Sequence, residues 1–188
     1  IGIIGLGNGR PPPSQQFARS GVDVTGLDVD DRKVTALTAG KSYIEHIPAA
    51  AIQEQVSAGR FRATADFSAI KQLDAVIICV PTPLNKNREP DISYILKSGE
   101  AILPHLHKGL LVVLESTTYP GTTDEDLRAV LERNGLKAGN ASSPRRMTRI
   151  FSGATPRSTS SRFAASVEVW MKRACRSFSS SHQSPPCS

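Results

Sequence analysis

The chain has 188 residues, of which 39% are hydrophobic, and its 23 Lys and Arg against 17 Asp and Glu give a formal net charge of +6 at pH 7. No apolar run approaches the roughly 18 residues of a membrane span, so the sequence argues against a transmembrane helix. The three cysteines have neither metal-ligand nor disulfide spacing, which is typical of a protein of the reducing cytoplasm.

The positive charge is concentrated at one end of the chain. Residues 140–188 hold thirteen Ser, eight Lys and Arg and one acid, a net charge of +7, whereas residues 1–139 carry a net charge of −1. About 140 residues is an ordinary size for a single domain. We therefore predict one domain at 1–139 and a disordered Ser/Arg-rich tail at 140–188.

The first residues are typical of a dinucleotide-binding βαβ unit. An apolar strand, Ile1–Gly7, runs into Gly5 and Gly7, and a second strand, Val22–Leu27, ends at Asp28 about twenty residues later. In such units the first glycine permits a tight turn and the second lets the backbone approach a pyrophosphate. The acid accepts hydrogen bonds from the adenosine ribose and favours NAD over NADP, because a carboxylate repels a 2′-phosphate.

The phosphate-binding fingerprint is incomplete. The third glycine of G-x-G-x-x-G falls at Arg10, and Pro11–Pro13 occupy the first turns of the helix expected there. Each X-Pro pair pushes the preceding residue out of the α region, so we expect this helix to begin no earlier than Ser14. A pyrophosphate would then lose part of the helix N-terminus that normally faces it.

Helix and strand alternate over the rest of the domain. Helices are predicted at Asp30–Thr38, Pro48–Ala58, Pro90–His105 and Thr123–Asn134, and strands at Arg60–Thr64, within Leu73–Leu84 and at Leu110–Leu114. Asp30 is the expected N-cap of the first helix, and Leu127, Val130 and Leu131 are the expected inward face of the last. The alternation predicts an α/β fold with a doubly wound, Rossmann-like parallel sheet.

Two of these strands end in loops that carry hydroxyl groups. Leu110–Leu114 is apolar without alternation, as in a strand covered on both faces, and Glu115 and three hydroxyl residues follow it. Leu73–Leu84 has the same design, an apolar strand followed by a Pro-Thr-Pro loop. Ligands of parallel sheets bind just beyond the carboxyl ends of the strands, so the two loops predict a nucleotide cleft.

Six blocks of this sequence resemble one family of dehydrogenases. They are IGIIGLG (1–7), GVDVTGLDVDDRKV (21–34), LTAGKSYIEHIP (37–48), DAVIICVPTPL (74–84), REPDISYI (88–95) and LVVLESTTYPGTT (111–123). Together they resemble the NAD-binding half of the nucleotide-sugar 6-dehydrogenases, the UDP-glucose/GDP-mannose dehydrogenase family, and in particular its branch acting on UDP-N-acetyl-hexosamines. The resemblance covers residues 1–139 apart from a patch at 8–14.

The resemblance implies NAD as cofactor, and no metal is expected because no set of ligands stands at metal spacing in the sequence. The residues it assigns to the cofactor are Gly5, Leu6, Gly7, Asp28, Lys33, Thr82, Ser116 and Thr117. Asp28 and Lys33 would hold the adenosine ribose, and Thr117 would also position the water of a late hydrolysis step. The family reaction oxidises the C6 alcohol of a UDP-sugar, UDP-glucose or a UDP-N-acetyl-hexosamine, to the carboxylate, with a cysteine thiol carrying the intermediate.

The chain departs from the family in its last fifty residues. The catalytic cysteine, a partnering lysine and the region that forms the family's homodimer come from a later part of family members. Here Cys79 is expected to be a small buried residue inside a strand at 76–80, while Cys175 and Cys187 lack the family's flanking pattern. Arg145 stands where the family has a glutamate of the catalytic site. We expect a fragment without turnover of its own.

We hypothesise that the tail is an out-of-frame translation of the family's gene. Sequencing the locus tests this, and an intact reading frame that matches the tail would contradict it.

An alternative function stays open: a noncatalytic protein whose basic tail binds nucleic acid or acidic surfaces through weak, salt-sensitive contacts. A third alternative is that the chain belongs to another class of Rossmann dehydrogenase, such as the 6-phosphogluconate type, but the ESTTYPGTT block argues against it. A UDP-sugar is the expected partner, and nucleic acid and membranes are not expected.

Overall fold

The structure is a computed structural model that describes residues 1–7, 22–41, 49–86, 88–116, 118–138 and 150–152. All of these residues belong to the first of two compact units, Ile1–Ala154, and the second, Thr155–Ser188, lies outside the described residues. The predictions made for Arg10, Pro11–Pro13, Ser14, Thr117, Cys175, Cys187 and almost all of the tail therefore also fall outside the described residues.

Six parallel strands form one sheet, in the order β3-β2-β1-β4-β5-β6. They are β1 (Gly2–Ile4), β2 (Val24–Leu27), β3 (Phe61–Thr64), β4 (Ala75–Ile78), β5 (Leu111–Leu114) and β6 (Ile150–Ser152). The chain fills the sheet outward from β1 to β3, returns to place β4 beside β1, and then continues outward to β6. This order confirms the predicted doubly wound, Rossmann-like sheet.

The described helices follow the predicted positions closely. They are α1 (Asp31–Thr38), α2 (Ala49–Ser57), α3 (Ser93–Ile102) and α4 (Arg128–Leu131), the last preceded by a π-helical turn at Thr122–Leu127 and followed by a 3₁₀ turn at Glu132–Asn134. Further 3₁₀ turns lie at Phe67–Gln72 and Leu103–His105. None of the helices in the described part of the chain is long and apolar enough to cross a membrane.

Aspartates determine where several of these elements begin. Asp30 caps α1 by accepting a hydrogen bond from the Arg32 N–H at 3.0 Å, as predicted, and this bond lowers the pKa of the Asp30 carboxyl. Asp91 accepts from the Ser93 N–H at 2.9 Å at the start of α3, and its pKa is lowered by the same kind of bond. Such side chains satisfy amide groups that have no partner within the helix.

The core lies on both faces of the sheet. One face packs alternate strand residues, among them Ile4, Leu27, Val76, Ile78, Val112 and Leu114, against side chains of α3, α4 and their flanking turns. Leu127, Val130 and Leu131 are at most 3% exposed, which confirms the predicted inward face of the last helix. The intervening strand residues, Ile3, Ala75, Ile77, Leu111 and Val113, are buried as well. Burial on both faces explains why these strands lack polar alternation.

Two elements were not predicted from the sequence. The 3₁₀ turn Phe67–Gln72 begins at Asp66, which accepts hydrogen bonds from the Ser68 N–H and hydroxyl, and it buries Ile70 completely. Strand β6 pairs with β5 through Ile150 to Ser152, beyond the predicted domain end at residue 139. The boundary between domain and tail stays a prediction.

Glu132 joins the last helical segment to the residues that follow it. Its carboxylate accepts hydrogen bonds from Arg128 Nε at 2.9 Å, Lys137 Nζ at 3.2 Å and the Ala138 N–H at 2.9 Å, and its side chain is 17% exposed. The Ala138 N–H, followed by the Arg128 guanidinium, lowers the pKa of Glu132 from 4.5 to about 2. The ionised carboxylate is therefore the form that stabilises this end of the fold.

We predict that Glu132→Gln lowers the free energy of unfolding by about 1 kcal/mol at pH 7, because it removes the charge from these hydrogen bonds. The pKa of Glu132 is lower in the folded state than in the unfolded state. The difference in free energy of unfolding between the two proteins is therefore full above about pH 5 and vanishes as the pH falls toward 2. Urea unfolding as a function of pH measures it. Glu54→Gln, which changes an exposed carboxylate on α2, is the control, and a Glu132→Gln effect independent of pH would contradict the prediction.

Candidate functional site

The strand order reverses direction between β1 and β4, and this is where a sheet of this type is expected to form a ligand crevice at its carboxyl edge. The loop Gly5–Gly7 follows β1, and the loop that begins at Cys79 follows β4. The Cys79 N–H donates to the Ile4 carbonyl at 2.8 Å, so the two strands remain paired up to this edge. Ligands of doubly wound sheets bind in such a crevice.

Gly5 is required by the close approach of the two backbones. Its φ is +89°, and a Cβ at this position would lie 2.5 Å from the Cys79 carbonyl oxygen. A side chain would therefore be strained in conformation and would also overlap the Cys79 carbonyl, just beyond the end of β4. Among the described residues, a Cβ at Gly7 would meet only the Lys33 ammonium group, at 3.6 Å, so none of their other side chains crowds the backbone there. This geometry is compatible with the roles predicted for the two glycines, which stay predictions.

Asp28 connects the glycine loop to the end of β2. The residue is 6% exposed, and its Oδ2 accepts from the Leu6 N–H at 2.9 Å while its Oδ1 accepts from the Asp30 N–H at 3.0 Å. Lys33 Nζ lies 3.4 Å from the same Oδ2, and the lysine side chain is 31% exposed. Charge-assisted hydrogen bonds of this kind are what a buried carboxylate requires. The structure thus brings Leu6, Asp28 and Lys33 together, and their assignment to a cofactor stays a prediction.

The loops after β4 and β5 are also joined to each other. Ser116 Oγ donates to the Val80 carbonyl at 2.8 Å, and the Glu115 N–H donates to the Ile78 carbonyl at 2.8 Å. Thr82 lies partly buried in the Pro-Thr-Pro loop. Thr117 lies outside the described residues, so its predicted position is not tested. Ser116 and Thr82 therefore lie on the β4–β5 side of the crevice, and Asp28 lies on the β2 side.

The prediction that Cys79 is a buried core residue inside a strand is wrong. Strand β4 ends at Ile78, and Cys79 lies just beyond it, partly buried, with its Sγ 3.7 Å from Glu115 Oε2. Burial, followed by the nearby Glu115 carboxylate, raises the pKa of the Cys79 thiol well above its usual value. The thiol therefore stays protonated at neutral pH and donates to Glu115, so it is not suited to act as a nucleophile.

Glu115 is a site residue that the sequence interpretation placed at the sheet edge without assigning it a role. The signal was its position directly after a buried strand, where a carboxylate is out of place in a core. Elsewhere in the described part of the chain, no three His, Cys, Asp or Glu side chains lie together as metal ligands would.

The residues of the crevice fit the adenosine and pyrophosphate portion of a dinucleotide. Among the described residues, only the Lys33 ammonium group lies near a Cβ built at Gly7, Asp28 supplies an acceptor at the end of β2 that suits ribose hydroxyls, and Lys33 supplies a positive charge near the loop. A dinucleotide needs these groups in this order along the sheet edge.

Comparison with known proteins identifies a related group. Residues 1–149 match the model of the UDP-glucose/GDP-mannose dehydrogenase family, NAD binding domain. The chain is 33% identical over 140 residues to the UDP-N-acetyl-D-mannosamine dehydrogenase of Pyrococcus horikoshii, covering 74% of this chain and 33% of that protein. It is 31% identical over 138 residues to the UDP-N-acetyl-D-glucosamine 6-dehydrogenase of Pseudomonas aeruginosa, covering 73% and 32%.

A solved structure shows the same similarity in three dimensions. The UDP-N-acetyl-mannosamine dehydrogenase of Staphylococcus aureus superposes with a TM-score of 0.70 at 32% sequence identity, over 80% of this chain and 35% of that one. The chain spans about a third of the length of the curated relatives it matches. The similarity therefore concerns one domain of these enzymes.

We predict that Gly5→Ala is more destabilising than Gly109→Ala, although the two glycines have the same φ of +89°. A Cβ at Gly109 has no atom within 4 Å, so that variant carries only the conformational cost of about 1–2 kcal/mol. Gly5→Ala adds the overlap with Cys79, and we expect at least about 1 kcal/mol more. Urea unfolding of both variants measures the difference, and equal losses would show that the two strands do not approach as closely as described.

Proposed function

The chain belongs to the UDP-glucose/GDP-mannose dehydrogenase family, whose NAD-binding domain its residues 1–149 match, and from this we propose that it binds NAD in the crevice between β1 and β4. The observation that carries the proposal is the buried Asp28 carboxylate, held by the Leu6 and Asp30 amides at the end of β2. It places an acceptor for the adenosine ribose beside a glycine loop that is open to a pyrophosphate.

Each site residue has a role in this proposal. The backbone of Gly5, Leu6 and Gly7 borders the pyrophosphate, and Asp28 accepts hydrogen bonds from the adenosine ribose. Lys33, which already lies against Asp28, offsets part of the cofactor's negative charge. Thr82, Ser116 and Thr117 lie along the remainder of the cofactor on the β4–β5 side, and Thr117 also positions the water of the late hydrolysis step.

The described residues arrange the cofactor rather than supply the nucleophile. When bound, NAD accepts hydride from the substrate. The Cys79 thiol is held protonated and points to Glu115, so the family's covalent step does not use it. We propose that the described residues orient NAD for oxidation of the C6 alcohol of a UDP-sugar. The relatives' names favour a UDP-N-acetyl-hexosamine.

The remaining partner and location proposals follow from the family. A UDP-sugar is the proposed substrate partner, and a homodimer is the assembly that the family resemblance implies. A cytoplasmic location fits three cysteines without disulfide spacing. The alternative of a noncatalytic protein that binds nucleic acid through its tail finds no support in the relatives reported above.

We predict saturable binding of NAD to the purified chain, measured by calorimetry, and at least about tenfold weaker binding by Asp28→Ala, because the ribose loses a charge-assisted acceptor. Asp31→Ala changes the first residue of α1, which is exposed; it removes the same charge outside the crevice and is the control. Urea unfolding shows whether Asp28→Ala is folded. An absence of binding by the unmodified chain, or binding unaffected by Asp28→Ala, would contradict the proposal.

We also predict that NADP binds at least about tenfold more weakly than NAD, because its 2′-phosphate would approach the Asp28 carboxylate. Asp28→Asn removes the repulsion between the carboxylate and the 2′-phosphate. It also removes the negative charge beside Lys33, so the lysine can pair with the phosphate, and the ratio of NADP to NAD affinity should rise. Calorimetric titration with both cofactors measures the ratio. An unchanged ratio in Asp28→Asn would show that Asp28 does not face the 2′ position.

A further inference from the structure

Glu115 and Cys79 form a cross-strand pair just beyond the ends of β5 and β4. The Cys79 N–H continues the β1–β4 ladder to the Ile4 carbonyl, and the Glu115 N–H continues the β4–β5 ladder to the Ile78 carbonyl, each at 2.8 Å. Adjacent residues in register project to the same face of a sheet. The thiol and the carboxylate meet there, with Sγ 3.7 Å from Oε2.

The backbone around this pair is held firmly in place. Ser116 Oγ donates to the Val80 carbonyl at 2.8 Å, which joins the residue after Glu115 to the residue after Cys79. The protonated Cys79 thiol, a donor, limits the rotamers open to the Glu115 side chain. The carboxylate of Glu115 is thus a fixed, partly exposed negative charge at the sheet edge rather than a mobile surface group.

The place of this charge relative to the cofactor follows from the proposed function, on which this inference rests. If Asp28 at the end of β2 binds the adenosine ribose, the dinucleotide crosses the edge over β1 and β4. Its nicotinamide half then lies on the β4–β5 side, where Cys79 and Glu115 are located. The oxidised nicotinamide ring carries a positive charge and the reduced ring is neutral.

We propose that Glu115, oriented by Cys79, selects the oxidised form of the cofactor by placing a carboxylate near the charged nicotinamide ring. A carboxylate attracts the oxidised ring through Coulomb's law and has no such attraction for the neutral ring. Glu115 therefore tightens binding of NAD⁺ and leaves binding of NADH unchanged. In a dehydrogenase this difference favours exchange of the spent cofactor for a fresh one.

The experiment compares binding of three ligands to the full chain and its variants. NAD⁺ and ADP-ribose are titrated by calorimetry and NADH by its fluorescence. In Glu115→Gln we expect NAD⁺ binding to weaken about tenfold, the order that one nearby unit charge produces in a partly exposed site, while ADP-ribose and NADH bind within about twofold of the unmodified chain. Glu100→Gln is the matched control, because Glu100 is an exposed carboxylate near the C-terminal end of α3. This variant should change the affinity for none of the three ligands.

The Cys79 variants test the orienting role. Cys79→Ala removes the side-chain donor at this position and should lower the preference for NAD⁺ over NADH. Cys79→Ser keeps a hydroxyl donor there and should retain the preference. If ADP-ribose does not bind the unmodified chain, the proposed function fails and this inference fails with it. If ADP-ribose binds and Glu115→Gln leaves the NAD⁺ to NADH ratio unchanged, or weakens both forms equally, only the charge selection is overturned.

Discussion

The close approach of β1 and β4 at Gly5 is the constraint on which the arrangement of this domain depends. The space between the Gly5 Cα and the Cys79 carbonyl oxygen admits no Cβ, and the positive φ of Gly5 turns the chain away immediately afterwards. Because β1 is central, the same residue determines where the loop after it lies relative to both β2 and β4. In doubly wound sheets, the ligand crevice forms where the chain reverses direction between two neighbouring strands, as it does between β1 and β4 here.

The two sides of this crevice are built by different physical means. On the β2 side, Asp28 is buried, and its charge is compensated by two backbone amides and the Lys33 ammonium group. On the β4–β5 side, Glu115 is partly exposed and is held by a thiol and by the ladder of the sheet. The first carboxylate organises the glycine loop of the protein itself, whereas the second places a charge at the edge of the crevice.

Local interactions in the sequence predicted most of the elements. Asp30 and Asp91 mark helix starts because their side chains bond to amides two residues further on, and such contacts need no tertiary structure. Leu127, Val130 and Leu131 recur at the helical period, so their burial was predictable as well. The turn Phe67–Gln72 and strand β6 were missed because they are too short to show a period, and their stability comes from pairing or packing with distant segments.

The sequence by itself determined the α/β class, the parallel sheet and the identity of the glycine and aspartate residues of the crevice, because apolar runs, turns and caps act over a few residues. Only the tertiary structure decided that Cys79 faces Glu115, that Asp28 binds the Leu6 amide, and that the Gly5 backbone lies against β4. These contacts join residues 22 to 74 positions apart, and the register of parallel strands decides them. No short stretch of sequence contains that register, because it emerges when separate strands pack into one sheet.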